Sequence, residues 1–217
     1  MKEENKNGQL PEKEQLLSSL RNAEEMYVFM SLCTKMPYVL CDEETFDDEV
    51  LLYYTEEDAQ REGKKLIEQR IPIQIAKIEK KQLLGFFSSL YPMGVNGLLI
   101  NKNMESEARL QLGELVIRPN TEDLPDGKVW VENPQLHLTA LYFMQEMRRQ
   151  EKPELTEELK GLQEEILVNY GRGRFIVAVH KENGMPMLKQ KNGDAYQPIF
   201  TDILEFRKFN KEDQFKT

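Results

Sequence analysis

Apolar positions first recur at helical spacing just after Pro11, where Leu16, Leu17 and Leu20 fall on one side and Glu12, Glu14 and Arg21 fall elsewhere. Proline suits a first helical turn, and the pattern predicts a helix running to about Ala23. Three runs of strand character follow: residues 26–30 are nearly all apolar, 36–41 are mixed, and 50–54 are apolar and aromatic. Thr55 ahead of Glu56, Glu57 and Asp58 predicts a helix start, because its hydroxyl can accept a free amide and the acids suit the positive end of the dipole. Ala59, Leu66 and Ile67 are the apolar positions of that helix, and Gly63 weakens it. Alternating Ile71, Ile73 and Ile75 around Pro72 predict a strand to about Ile78. Residues 80–90 predict a further helix that buries Leu83, Leu84, Phe86, Phe87 and Leu90. Pro92, Gly94 and the Asn96-Gly97 pair then turn the chain into a strand over 98–100.

Beyond Asn103 the pattern weakens. Short strands are expected over 114–117 and 129–131, with a turn-rich stretch over 120–128 between them. Asn133-Pro134 is a helix start, followed by Leu136, Ala140, Leu141, Phe143, Met144 and Met147 and closed by Arg148-Arg149. Pro153 and Thr156 open another helix carrying Leu159, Leu162, Ile166 and Leu167. A second strand set then echoes the first. Residues 175–179 are apolar like 26–30, and each run is followed at the same distance by a Met-Pro pair, Met36-Pro37 and Met185-Pro186. Val50-Leu51-Leu52-Tyr53-Tyr54-Thr55 likewise parallels Gln197-Pro198-Ile199-Phe200-Thr201. The echo is expected to be partial, since 16 residues follow Thr201 where the first set runs on for 46 residues after Thr55. Either the chain is truncated there, or the short copy completes its sheet against the first unit or a partner, because an open strand edge would otherwise be exposed.

These elements define an α/β fold of the mixed α+β kind, a mixed sheet flanked by helices with a second, partial copy of the strand–helix unit. The expected divisions are a flexible terminus over residues 1–11, a first unit over 12–120, a connecting loop and helix over 121–153, and the partial second unit over 154–217. A length of 217 residues accommodates either one large domain or two small ones.

Charge and cysteine content narrow the function classes. A net charge of −9 supplies no global basic field to gather nucleic acid or coat an anionic membrane, so neither is expected as a partner. Apolar stretches such as residues 136–144 contain polar residues and fall far short of the roughly 20 needed to span a bilayer. The first ten residues are polar and charged, without the apolar centre of a signal peptide. Cys33 and Cys41 make no disulfide framework and are expected as reduced thiols of a cytoplasmic protein.

Three runs together carry a family resemblance: Met26-Tyr27-Val28-Phe29, Leu51-Leu52-Tyr53-Tyr54-Thr55-Glu56-Glu57, and Gly94-Val95-Asn96-Gly97-Leu98-Leu99-Ile100-Asn101. They resemble the N-terminal domain family of SseB, named for enhanced serine sensitivity. Pro198-Ile199-Phe200-Thr201-Asp202 is closer still to that family's Pro-x-Phe-Thr-acidic pattern. The likeness covers roughly residues 12–103 and 160–210. The chain departs from the family at Tyr54, where Phe is usual, and at Asn101-Lys102-Asn103, where Asn-Pro is usual. The resemblance implies a mixed α/β fold and an uncharacterised cytoplasmic role, and it supplies no catalytic residues.

Candidate chemistry is sparse. His137 and His180 lack metal-ligand partners at short sequence spacing, so no metal or other cofactor is expected, with long-range convergence on Cys33 or Cys41 left open. No nucleophile motif, dinucleotide fingerprint or phosphate loop occurs, and the chain is not expected to be an enzyme. Gly171-Arg172-Gly173-Arg174 reads first as a helix stop with Gly171 left-handed, and second as an anion grip in which Arg172 and Arg174 are the candidate ligands. Nine acids and no basic residue between Asp42 and Asp58 read as a solvated face, with docking of a basic partner as the alternative. The leading functional expectation is a protein-interaction or regulatory module that contacts a partner protein or itself, with Phe200, Thr201 and Phe206 as candidate interface residues. The alternative is a small-molecule or anion sensor using a pocket between the two units near Arg172 and Arg174.

Overall fold

The computed structural model describes residues 12–118, 124–152, 154–180 and 182–217, and the chain divides into two compact units. The first unit holds α1 (Glu12–Asn22), β1 (Glu25–Ser31), β2 (Val39–Cys41), β3 (Asp48–Tyr53), α2 (Glu56–Glu68), β4 (Ile73–Glu79), α3 (Lys80–Leu90), β5 (Gly97–Ile100), β6 (Ala108–Gln111) and the helical turn α4 (Leu112–Leu115). Its six strands form one mixed sheet in the order β4-β1-β3-β5-β6, with β2 beside β3. β1 is antiparallel to β4 along its whole length, from Glu25 opposite Glu79 to Ser31 opposite Ile73. On its other side Tyr27 and Val28 face Tyr53 and Leu52 of β3. β3 runs parallel to β5, with Glu49 to Leu52 opposite Gly97 to Ile100.

Alternation along β1 sends Tyr27 and Phe29 to one face, where they pack with Leu51, Tyr53, Ile73, Leu99 and Ala59 of α2. Met26 and Val28 point to the opposite face and are also fully buried, so both faces of the strand are covered. α3 packs against β1 and β4 and buries Leu83, Phe87 and Leu90, while Leu84 is 69% exposed, against the expectation. Thr55 caps α2 as its sequence indicates, accepting the Asp58 amide. Gly63, weak on propensity alone, sits where a β-carbon would lie 3.2 Å from Ile73 Cδ1 and 3.3 Å from Phe29 Cε1, so its small size lets α2 lie close to the sheet.

Two expected strands are absent. Residues 114–117 were expected extended, but Leu112 to Leu115 form a helical turn, because Leu112 and Val116 are both buried and four residues apart, the spacing of a helix. Residues 129–131 form no strand; Lys128 closes a turn onto Pro125, and Val129 stands 67% exposed.

The second unit holds α5 (Pro134–Arg149), α6 (Glu157–Arg172), β7 (Ile176–Val177), β8 (Val179–His180), β9 (Leu188–Lys189), β10 (Ala195–Tyr196), β11 (Ile199–Phe200), α7 (Ile203–Phe209) and β12 (Phe215–Lys216), except that residues 148–152 belong with the first unit. There Arg148 donates to the Cys33 carbonyl. The single strand expected over 175–179 is split at the fully buried Ala178 into β7 and β8. α6 does not stop at a left-handed Gly171. It runs to Arg172 and closes at Gly173, where a β-carbon would lie 2.6 Å from Asn133 Oδ1 and 2.7 Å from Phe175 Cζ.

The residues after Thr201 do not leave the second unit without a helix and a strand. They form α7 and then β12, and β12 pairs with β8. β7 pairs with β11 and β8 with β12, both antiparallel, and α7 joins the two partner strands just as α2 joins β3 to β4. In each unit the cap lies two residues after a paired aromatic. Tyr53 faces Tyr27 ahead of Thr55, and Phe200 faces Ile176 ahead of Asp202. The expected frayed terminus, the start of the turn-rich stretch and Pro153 lie outside the described residues.

Gly63→Leu is expected to destabilise the chain by about 1–3 kcal/mol through overpacking against Phe29 and Ile73. Urea denaturation measures the loss, and a variant as stable as the wild type would show that α2 can move off the sheet.

Candidate functional site

Polar side chains converge in the second unit where α5 begins and β11 ends. Asn133 donates from Nδ2 to the carbonyls of Arg174, at 2.6 Å, and Thr201, at 2.8 Å, and its own carbonyl accepts the His137 amide. One turn into α5, the His137 imidazole thereby reaches Asp202, the cap of α7. Oδ1 of Asp202 accepts the amides of Leu204 and Glu205 at 2.8 and 3.0 Å, and Oδ2 accepts the Thr201 hydroxyl at 2.8 Å. His137 Nδ1 stands 3.5 Å from Asp202 Oδ2. That distance is longer than a good N–H···O hydrogen bond, and Nδ1 has no hydrogen-bond partner. Burial pushes the Asp202 carboxyl up, but the adjacent His137, the Glu205 amide and the Thr201 hydroxyl outweigh it and hold the group below its ordinary range, so the buried side chain is an anion at neutral pH. Glu205 lies beside this pair and carries Lys208 on Oε1 at 2.6 Å. Sequence spacing concealed the cluster, because 65 residues separate His137 from Asp202. The usable signal was Asp202 followed three residues later by Glu205, the spacing of a capping box.

The residues proposed from sequence fall elsewhere. Phe206 is 6% exposed, and its ring packs edge-on against Phe200 with centroids 5.5 Å apart, in a row that continues through Phe209 to Phe215. Phe206 is therefore a core residue of the second unit, Phe200 is half-buried beside it, and Thr201 donates its hydroxyl to Asp202 and accepts Asn133 at its carbonyl. Arg172 ends α6 in solvent. Arg174 borders a cavity of about 540 Å³ that Lys128 and Trp130 also line, and the Trp130 indole N–H is buried without an acceptor. Exposed apolar residues of this unit include two stretches: Leu167, Val168 and Tyr170 of α6 are 50–64% exposed, and Val179, Met185, Met187, Leu188, Tyr196 and Ile199 are 38–56% exposed.

In the first unit the acidic run is largely tied into the fold. Asp42 Oδ1 accepts the amides of Glu44 and Thr45, Asp47 takes Asn96 and Gln111, and Arg109 bridges Asp42 at 2.9 Å and Glu49 at 3.2 Å. This corrects the expectation of a purely solvated face. Glu49 is 1% exposed with Oε2 unpartnered, and burial pushes its carboxyl up, with Arg109 pulling the other way. Both cysteines are unpaired. Burial, then Asp48 and Asp42, push the Cys41 thiol up, away from the thiolate that nucleophilic chemistry needs.

The architecture is thus a mixed α+β sheet unit joined to a smaller one. No family model matches the chain, and no curated protein does. Among solved structures, Tic22 from Plasmodium falciparum is similar at a TM-score of 0.26 and 16% identity, over 91% of this chain and 74% of that one. Among the described residues no helix is long and apolar enough to cross a membrane.

Glu49 gives a pH prediction. Its folded pKa lies above the ordinary 4.5, so its contribution to stability is full below 4.5 and is lost as pH rises through the folded value. Glu49→Gln removes that loss while Arg109 keeps Asp42 and Glu107. Relative to wild type, the variant is expected to gain stability progressively as pH rises above 4.5 in urea titrations; a gap that does not change with pH would mean the carboxyl is not shifted.

Proposed function

We propose that the chain is a non-catalytic, cytoplasmic protein-interaction or regulatory module built from two copies of one strand–helix unit, related to the SseB N-terminal domain family. The family assignment is supported by the three sequence runs quoted above and by Pro198-Ile199-Phe200-Thr201-Asp202. Support for the repeat comes from connectivity: a helix capped two residues after a paired aromatic joins the two antiparallel partners of β1 in the first unit and those of the consecutive strands β7 and β8 in the second. Two unpaired cysteines agree with a reducing compartment.

One observation carries the interaction role. Leu188 and Tyr196 face each other across β9 and β10, on the same side of the hairpin, and are 50% and 49% exposed. Large apolar side chains paired on an exposed ribbon are the kind of surface that a protein partner covers. A second reading, an anion sensor, is favoured by the cavity at Arg174, where Lys128 adds a second cation and the Trp130 N–H lacks an acceptor.

The expected outcome is that the wild type self-associates in light scattering or retains one defined protein through purification, and that Leu188→Glu with Tyr196→Ser abolishes this without changing the melting temperature. A strictly monomeric wild type with no such retained protein overturns the interaction role. In that case a rise in melting temperature with small carboxylates or phosphates, lost in Arg174→Ala, would establish the sensor instead.

A further inference from the structure

We propose that His137, Asp202 and Glu205 form a binding site for a divalent transition-metal ion of the zinc class. A ring nitrogen of His137 and one carboxylate oxygen each from Asp202 and Glu205 all lie within 4.8 Å of one another, and this is the one such three-ligand group found among the described residues. Acidic clusters at helix starts are common, so the weight rests on the histidine. Its Nδ1 is buried and has no hydrogen-bond partner, and its side chain is 11% exposed. An unpartnered buried ring nitrogen is costly unless something takes its lone pair or its proton.

The separation from Asp202 distinguishes the two options. A direct N–H···O bond would bring the atoms to about 2.9 Å. Two donors bound to one tetrahedral ion at 2.0–2.2 Å instead sit about 3.4 Å apart. The observed 3.5 Å matches the second arrangement.

The carboxylate is also prepared for that role. An ionised carboxylate offers about four acceptor positions. Asp202 uses two on Oδ1 for the Leu204 and Glu205 amides and one on Oδ2 for the Thr201 hydroxyl, leaving one position on Oδ2, the oxygen nearest His137. Hydrogen bonds of this kind fix the orientation of ligating carboxylates. Glu205 is half-buried, carries Lys208 on Oε1, and supplies the third donor from its carboxylate. One imidazole and two carboxylates suit zinc and its neighbours better than the all-oxygen preference of magnesium or calcium. Three protein ligands leave a fourth position for water or for a donor from a bound partner.

The test uses the full-length chain stripped with chelator and titrated with Zn²⁺ by calorimetry and with Co²⁺ in the visible spectrum. The expected result is one saturable site per chain and ligand-field bands with Co²⁺, both weakened at least about 10-fold in His137→Gln and in Glu205→Gln. Glu205 is the decisive position if the buried His137 variant fails to fold, since its side chain reaches the surface. Absence of saturable binding overturns the site, as does binding that Glu205→Gln leaves unchanged, which would place the ion elsewhere on this acidic chain.

Discussion

A strand paired along both edges and covered on both faces can leave no polar group unsatisfied, and β1 imposes that condition on the first unit. The ladder to β4 is continuous, and it is extended at its ends by Leu32 donating to Pro72 and Lys80 donating to Glu24. Every β1 side chain from Met26 to Phe29 is buried, so each face needs a cover. α2 meets this on one side through Ala59 and Gly63, with Phe29 and Tyr53 in tilted ring contact at 5.2 Å beneath it. Polar side chains are admitted at the margins. Asn101, left-handed at φ 49°, donates its amide to Leu52, accepts the Tyr54 amide and binds Ser106, ending β5 where the Asn-Pro of the resembled family would stand.

The second unit is built from much shorter strands, and that difference governs its physics. Two-residue ladders contribute few backbone bonds, so cohesion passes to side chains. A row of ring contacts runs through Phe206, Phe200, Phe209 and Phe215, of which Phe206 is buried together with Leu136, Leu141, Leu159 and Ala178. Asn133 pins three chain segments by taking the carbonyls of Arg174 and Thr201. Short strands also cover less. The β9–β10 hairpin pairs only with itself, which leaves Leu188 and Tyr196 in solvent. Exposure of the Leu188–Tyr196 pair is thus a consequence of how little sheet the unit builds around the hairpin.

Elements with a strong period or an explicit stop signal were legible in the sequence. The bounds of α3 agree to the residue, and the Thr55 cap follows from a hydroxyl ahead of three acids. What escaped was short or long-range. β6 is an edge strand whose Arg109 and Gln111 point outward, so it carries no apolar run. α4 has one turn, too few positions to separate a period of four from an alternation. Gly173 carries no signal of its own in the sequence, whereas in the structure it allows the close approach of Asn133, a residue 40 positions away, and of Phe175. The meeting of His137 with Asp202 has the same origin, since spacing along a chain reports helix faces and loops but not which helix start is pinned to which strand end.

Asp202 joins the two parts of the second unit's chemistry. As a cap it fixes the start of α7, and as a buried anion it must be balanced, because an uncompensated charge at 1% exposure would be strongly destabilising. Two amides, a hydroxyl and the His137 edge supply that balance, and they lower the carboxyl's pKa against the effect of burial. The imidazole stands too far off to complete a hydrogen bond, so the balance has one vacant acceptor position, directed at α5. An ion bound there would tie α5 to the β11–α7 turn. The exposed β9–β10 hairpin leads directly into β11, so the same event would stiffen the anchor of the surface that a partner covers. In this arrangement a metal would act as a brace that ties α5 to the start of α7.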